Sequence, residues 1–282
     1  MKEIRLFITG FIFLLVLCGC ARISEEFARG KSENNLSQSS GLTSNSSSSR
    51  TVTSKNKAAT ETSLENIIES TTESEDVPSN KKKVALTFDD GPDPINTPKL
   101  LELLKKEKVP ATFFLVGQNV EMYPKVVKAI AEDRQTIGNH TYDHQDLCTL
   151  DESGMTNEIT KTDQVIKKLT GKKPAYFRPP YGSVNAKAAE LIKRPIIQWS
   201  VDSEDWKSKD TQMIIDKVTS SVYDGSIILL HDIHPETIAA VPEIIRDLKK
   251  EDYQFVSLDT LLNNPSCNDT YYGENDHRPA GG

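Results

Sequence analysis

Cysteine is scarce in this chain, with four among 282 residues, and the two downstream ones, Cys148 and Cys267, stand far apart. They have no short metal-ligand spacing, so they give no sign of a thiolate-bound metal; a single disulfide and buried single thiols both remain open. Basic excess is also lacking. A net charge of −7, with no stripe of Lys and Arg interleaved with aromatics, argues against nucleic acid as the main partner. The apolar run from Leu6 to Leu17 falls short of the roughly 20 residues that a membrane-spanning helix needs. Nothing in the pattern names a protein partner. Histidine is nearly as rare as cysteine, at five, and that scarcity gives weight to where the histidines fall.

The two ends of the chain differ from its middle. Lys2 and Arg5 precede the Leu6–Leu17 run, the order of an export signal. The run ends in Leu17-Cys18-Gly19-Cys20, which resembles the bacterial lipoprotein signal, where cleavage before a cysteine exposes it for diacylglyceryl attachment. That resemblance makes residues 1–19 a signal peptide and Cys20 the lipid-bearing residue; simple packing of Cys18 and Cys20 in an apolar helix is the alternative. Two acyl chains hold a protein stably at a membrane. Residues 20–80 turn to Ser, Thr, Asn and Glu and read as a disordered linker. Its r.m.s. span is about 40 Å and its stretched limit about 200 Å. One weak helical pattern, Ser63–Glu69, interrupts it. The expected location is the extracellular face of the bacterial cell membrane, with the folded part exposed towards the wall.

From residue 81 to 264 short apolar runs alternate with helical segments. Strands are expected at Val84–Phe88, Ala111–Val116, Thr136–Gly138, Ala175–Phe177, Ile196–Val201, Ser226–Leu230 and around Phe255-Val256. Helices are expected at Thr97–Lys108, Pro124–Glu132, Thr156–Leu169, Asn185–Lys193, Thr211–Val222 and Ile238–Lys250. The repeated unit implies an α/β fold with a parallel sheet, doubly wound or closed into a barrel. Asp89-Asp90, His140, Arg178, Asp202–Trp206 and His231 each follow an expected strand, and carboxyl ends of barrel strands gather active sites, which favours the barrel. Residues 265–282 read as a polar tail.

The polar residues suggest chemistry. Asp89-Asp90-Gly91-Pro92 fits a solvated turn, or a pair of carboxylates of which one binds a metal and the other acts as a base. His140 and His144 share one face if helical, and reach one ion if the segment is a tight loop. Arg178-Pro179-Pro180-Tyr181-Gly182 is a stiff turn whose arginine can hold a carboxylate through paired hydrogen bonds. Asp205 and Trp206 set a carboxylate beside an aromatic wall, and His231 with a carboxylate partner can serve as a general acid. Asp232 and His234 are expected at the surface.

Taken together, Thr87-Phe88-Asp89-Asp90-Gly91, His140-x-x-x-His144, Arg178-Pro179-Pro180-Tyr181-Gly182, Asp205-Trp206 and Leu229-Leu230-His231-Asp232 resemble the polysaccharide deacetylases, the fourth carbohydrate esterase family. The resemblance covers roughly residues 83–262 and implies a distorted (β/α) barrel of about seven strands. It implies a divalent metal, zinc first and cobalt or another ion second, held by Asp90, His140 and His144. Asp89 then corresponds to the catalytic base, oriented by Arg178, and His231 to the acid whose charge Asp205 sets. Tyr181 would offer its backbone N–H to the oxyanion, and Trp206 and Leu230 would line the acetyl pocket.

The expected reaction is removal of N-acetyl groups from a GlcNAc-containing polysaccharide, peptidoglycan first. That choice of polymer rests on the membrane anchor and tether. Chitin oligomers, poly-GlcNAc exopolysaccharide and acetylxylan are alternatives within the same chemistry, and a non-catalytic surface glycan-binding protein is the alternative outside it.

Overall fold

The computed structural model describes residues 81–281. The signal peptide, Cys20, the linker and the Ser63–Glu69 pattern lie outside them. In chain order the elements are β1 (Lys82–Asp89), α1 (Asn96–Glu107), β2 (Ala111–Leu115), α2 (Gly117–Met122), α3 (Pro124–Glu132), β3 (Thr136–Asn139), α4 (Glu152–Thr170), β4 (Tyr176–Phe177), α5 (Ala186–Ile192), β5 (Ile196–Ile197), β6 (Val201–Asp202), α6 (Asp205–Ser208), α7 (Thr211–Ser221), β7 (Ser226–His231), α8 (Pro235–Lys250), β8 (Tyr253–Phe255), α9 (Leu258–Leu262), β9 (Asp269–Tyr271) and β10 (His277–Pro279). No helix among the described residues is long and apolar enough to cross a membrane.

The strands form one curled sheet in the order β10-β9-β5-β4-β3-β2-β1-β7-β6, with β8 also paired to β1. All pairs from β6 round to β5 are parallel. These seven strands make the distorted α/β barrel. β1 is covered on both faces, so its middle, Val84-Ala85-Leu86, is continuously apolar rather than alternating, and every residue from Val84 to Asp89 is buried. Val84, Leu86 and Phe88 pack outward into the main core with Leu100 and Leu104 of α1 and Ile244 and Leu248 of α8. The Phe88 and Phe113 rings stack at 5.4 Å in this layer. Truncating such a ring to alanine costs about 3–5 kcal/mol. The intervening residues of β1, Thr87 and Asp89, reach the interior instead, because successive strand side chains point to opposite faces.

Helix starts are fixed locally. Asp151, Asn185 and Asp210 accept hydrogen bonds from Gly154, Ala188 and Met213 backbone N–H groups at 2.7, 2.9 and 2.9 Å, which caps α4, α5 and α7. Helix α4 ends on Gly171 with φ of 77°, a left-handed cap that glycine adopts without steric cost.

Two expectations change. The single strand expected at Ile196–Val201 is two short ones with different partners: Ile196 pairs with β4, and Val201 pairs with β7. No pairing joins β5 to β6, and residues 198–200 link them through backbone bonds to Tyr271 and Ile227. Residues 265–282 are not a tail beyond the domain, since β9 runs parallel to β5 and β10 turns back on β9. Their packing is side-specific: the His277 ring stacks on Tyr271 at 5.2 Å. Cys148 and Cys267 are exposed free thiols.

Candidate active site

The carboxyl ends of β1, β3, β6 and β7, with the turn after β4, surround a cleft of about 390 Å3. It is lined by Asp89, Asp90, His140, His144, Pro179, Tyr181, Trp199, Asp202, Trp206, Leu229 and His231.

At its floor Asp89 is buried, and its Oδ1 accepts a hydrogen bond from Arg178 Nη1 at 2.7 Å. Arg178 is itself fully buried. Three further bonds from it go to Thr87 Oγ1 (2.9 Å), Ile197 O (2.9 Å) and Gln198 O (2.8 Å), and its guanidinium lies 4.2 Å from the Phe114 ring centre. The expected paired bond to a carboxylate is therefore a single one. The other arms tie β1 to the β5 segment, since buried donors need such acceptors. Burial lowers the Arg178 pKa, and Asp89 opposes that effect.

Asp90 follows with φ of 69°, a conformation that aspartate tolerates better than bulkier residues. This turn brings its carboxylate into the same cleft as that of Asp89. Oδ1 lies 3.4 Å from His140 Nε2 and 3.2 Å from His144 Nε2, and it is buried with no hydrogen-bond partner. The ligand atoms of Asp90, His140 and His144 all fall within 4.8 Å of one another. An orphaned buried carboxylate oxygen facing two imidazole nitrogens fits a borderline divalent cation, and a three-residue donor set leaves positions open.

The histidine segment is a loop, not a helix. Thr141 and His144 have φ of 64° and 63°, and the loop is held by Thr141 N to Asn139 Oδ1 (2.8 Å) and Tyr142 N to Glu158 Oε2 (2.8 Å). His140 Nδ1 donates to the Arg178 carbonyl at 2.7 Å. A carbonyl can only accept, so this bond fixes the tautomer and leaves Nε2 facing Asp90. Burial disfavours protonation of His140, but Asp89 and Asp90 outweigh it and raise its pKa; the same carboxylates favour any cation seated there. At His144 burial and the nearby His140 charge win, and its pKa falls. Burial likewise opposes ionisation of Asp90, yet the imidazoles of His140, His231 and His144 hold it below the usual carboxylate range.

Across the cleft, Asp205 is fully buried and accepts four hydrogen bonds. They come from His231 Nδ1 (2.7 Å), His231 N (2.7 Å), Thr237 Oγ1 (2.7 Å) and Trp206 N (2.8 Å). Burial penalises its charge, but His231 and these donors keep its pKa low. For His231 burial works against protonation, and the Asp205 hydrogen bond and charge, with Asp89 and Asp90, raise its pKa to about 9. That shift favours the protonated ring, with Nε2 directed away from Asp205.

The rim is aromatic. Tyr181 (φ 59°) sets its ring 4.8 Å from that of His144, and Trp206 stands half exposed on α6. Trp199 and Asp202 also line the cleft. Sequence reasoning passed over Trp199 because it fell inside the expected 196–201 strand.

Leu230 does not line the cleft. It is buried in the outer core, and its neighbour Leu229 faces inward, as the strand alternation requires. Nor is Asp232 on the surface: it is completely buried and accepts a hydrogen bond from Thr97 Oγ1. His234 is half-buried, its ring 6.1 Å from that of His231.

The family model for polysaccharide deacetylase matches residues 76–195. A peptidoglycan-N-acetylglucosamine deacetylase of Bacillus cereus is 42% identical over 192 residues, covering 66% of this chain and 70% of the relative. The peptidoglycan-N-acetylglucosamine deacetylase PgdA of Listeria monocytogenes is 43% identical over 180 residues, 64% of this chain; the match spans only 39% of that longer protein. The structure of peptidoglycan deacetylase PdaC from Bacillus subtilis superposes with a TM-score of 0.64 at 38% identity, covering 66% of this chain and 93% of that one. A fold superposing on that structure and identities of this size, spanning 70% of the Bacillus cereus relative, have one explanation: the chain belongs to the polysaccharide deacetylase family.

Proposed function

We propose that this protein hydrolyses N-acetyl groups from GlcNAc residues of peptidoglycan, releasing acetate, with a divalent metal held by Asp90, His140 and His144. The observation that carries this reading is the placement of that donor set between Asp89, anchored by Arg178, and His231, anchored by Asp205. The names of the Bacillus cereus and Listeria relatives support the choice of polymer.

An amide is a weak electrophile with a poor leaving group. A bound zinc, or another divalent ion accepting the same donors, supplies Lewis acidity at the carbonyl and eases loss of a proton from water. Asp89 accepts a proton from the attacking water as its oxygen bonds to the acetyl carbon. Arg178 holds that carboxylate in place. His231 gives its Nε2 proton to the nitrogen as the C–N bond breaks, so that acetate and a free amine leave. The Tyr181 backbone N–H is assigned to the developing oxyanion, and Trp206 with Leu229 to the walls around the acetyl group.

Acetate release from peptidoglycan, chitin oligomers, poly-GlcNAc and acetylxylan, each with a chelator control, tests the reading. Release from peptidoglycan that stops with chelator is expected. Release from xylan and none from any GlcNAc polymer overturns it. We assign the protein to the outer face of the cell membrane through a lipid on Cys20, on the strength of the Leu17-Cys18-Gly19-Cys20 signal. Cys20→Ala is then expected to leave the membrane fraction, and unchanged fractionation refutes the anchor.

A further inference from the structure

Asp232 is a buried carboxylate to which the reaction above assigns no part. It lies one residue beyond His231, has no exposed surface, and accepts a hydrogen bond from Thr97 Oγ1 at the start of α1. Its other oxygen, Oδ1, has no partner. Thr97 Oγ1 accepts in turn from Asp93 N at 2.8 Å, and Asn96 Nδ2 donates to Ile233 O at 3.1 Å. The loop after β1 and the loop after β7 are thus stitched together at two points. The third contact is steric. A Cβ placed on Gly91 would stand 2.7 Å from Asp232 Oδ2 and 2.9 Å from its Cγ, so the carboxyl occupies the space that any side chain at position 91 would need.

Gly91 follows Asp90 directly. Its carbonyl accepts from Val116 N at 3.0 Å, and the Asp90 carbonyl accepts from Asn119 Nδ2 at 2.8 Å. These bonds hold the turn from the β2 side, and on the β7 side the Asp232 carboxyl is packed directly against Gly91.

We propose that Asp232 is a positioning residue that seats the Asp90 turn for metal binding and fixes it relative to His231. The inference rests on the metal reading of Asp90, His140 and His144. It commits to shape and hydrogen bonding rather than charge: burial pushes the Asp232 carboxyl up to about 7, against the Thr97 bond, so a neutral amide is an adequate replacement.

The test is Zn2+ affinity by chelator competition and the Co2+ absorption spectrum, on the full chain. Wild type that binds neither ion would sink the metal reading itself. Given wild-type binding, Asp232→Ala is expected to weaken Zn2+ by about 10–100-fold and alter the Co2+ spectrum, the usual cost of losing a group that supports a ligand. Asp232→Asn should stay within about threefold of wild type on both readouts. Gly91→Ala should weaken the metal as Asp232→Ala does, and the double variant Gly91→Ala/Asp232→Ala should recover part of the loss, because the new methyl then enters vacated space. Wild-type affinity and spectrum in Asp232→Ala, whatever its thermal stability, overturn the proposal, as does Asp232→Asn failing as badly as alanine. If Asp232→Ala does not fold, the Gly91→Ala affinity decides alone, and an unchanged value overturns the proposal.

Discussion

His140 and His231 are anchored through the same ring nitrogen at the same 2.7 Å, one to the Arg178 carbonyl and the other to the Asp205 carboxylate. The acceptors make them different reagents. At His140 the carbonyl fixes the tautomer without adding charge, and the favouring carboxylates, Asp89 and Asp90, sit on the Nε2 side, 3.7 and 3.4 Å away. A metal cation and a proton compete for that nitrogen, which suits His140 to the ligand role proposed for it. At His231 the charge lies on the Nδ1 side, so Nε2 keeps a proton that it can give away. The side of the ring that faces the carboxylate, rather than the burial of the ring, separates a metal ligand from an acid.

The largest effect that can break this contrast is at the ligand. His140→Ala is expected to lose both metal, by elemental analysis, and acetate release; full metal content in that variant would put His140 outside the donor set. Next is Asp89→Asn, expected to keep the metal while kcat falls by about 10²–10⁴-fold, the range for losing a general base. Loss of metal there would move Asp89 from base to ligand.

Much of this contrast was legible in the sequence, because strand ends can be located from apolar runs and His140, His144, Asp90 and His231 all follow such runs. What was hidden depends on partners distant in the chain. Asp232 looked like a surface residue because its hydrogen-bond donor, Thr97, lies 135 positions away. The break between β5 and β6 arises where Gln198 N turns to Tyr271 O (2.7 Å) and Ser200 N to Ile227 O (3.1 Å), bonds that no local pattern announces. Strand β10 is exposed along its length and carries no apolar alternation, so its pairing with β9 was not readable. The inward face of β7 was misread for a related reason. A strand covered on both sides is apolar at every position, so Ser226–Leu230 contains no parity signal.

The acid side of the contrast is sharpened by pH. The proposed reaction requires protonated His231, so wild-type kcat/KM should hold below pH about 9 and fall as pH rises through that value. In Asp205→Asn the charge that raises the His231 pKa is gone and only a neutral amide oxygen is left to accept from Nδ1, so the fall should begin at lower pH, with rates about tenfold or more below wild type near pH 8.5. A pH–rate profile from about pH 6 to 11 measures both limbs. An unmoved alkaline limb in Asp205→Asn would mean that His231 is not the titrating acid.

The smallest expected catalytic effect separates the two leucines that lead into His231. Leu230 is fully buried among the outer core residues, so Leu230→Ala should lower unfolding free energy by about 2–5 kcal/mol. It touches no part of the cleft, and kcat and KM at a temperature where the variant is folded should stay within about threefold. Leu229 faces the cleft beside His231 and Trp206, so Leu229→Ala should raise KM several-fold and leave kcat nearly unchanged, as expected for an apolar wall that binds ground state and transition state alike. Denaturant titration and steady-state kinetics on both variants decide it. The reverse pattern, with Leu230→Ala impaired in KM and Leu229→Ala silent, would return the acetyl wall to Leu230 and require the end of β7 to be turned by one residue from the register that pairs Phe88 with Leu230 and Asp89 with His231.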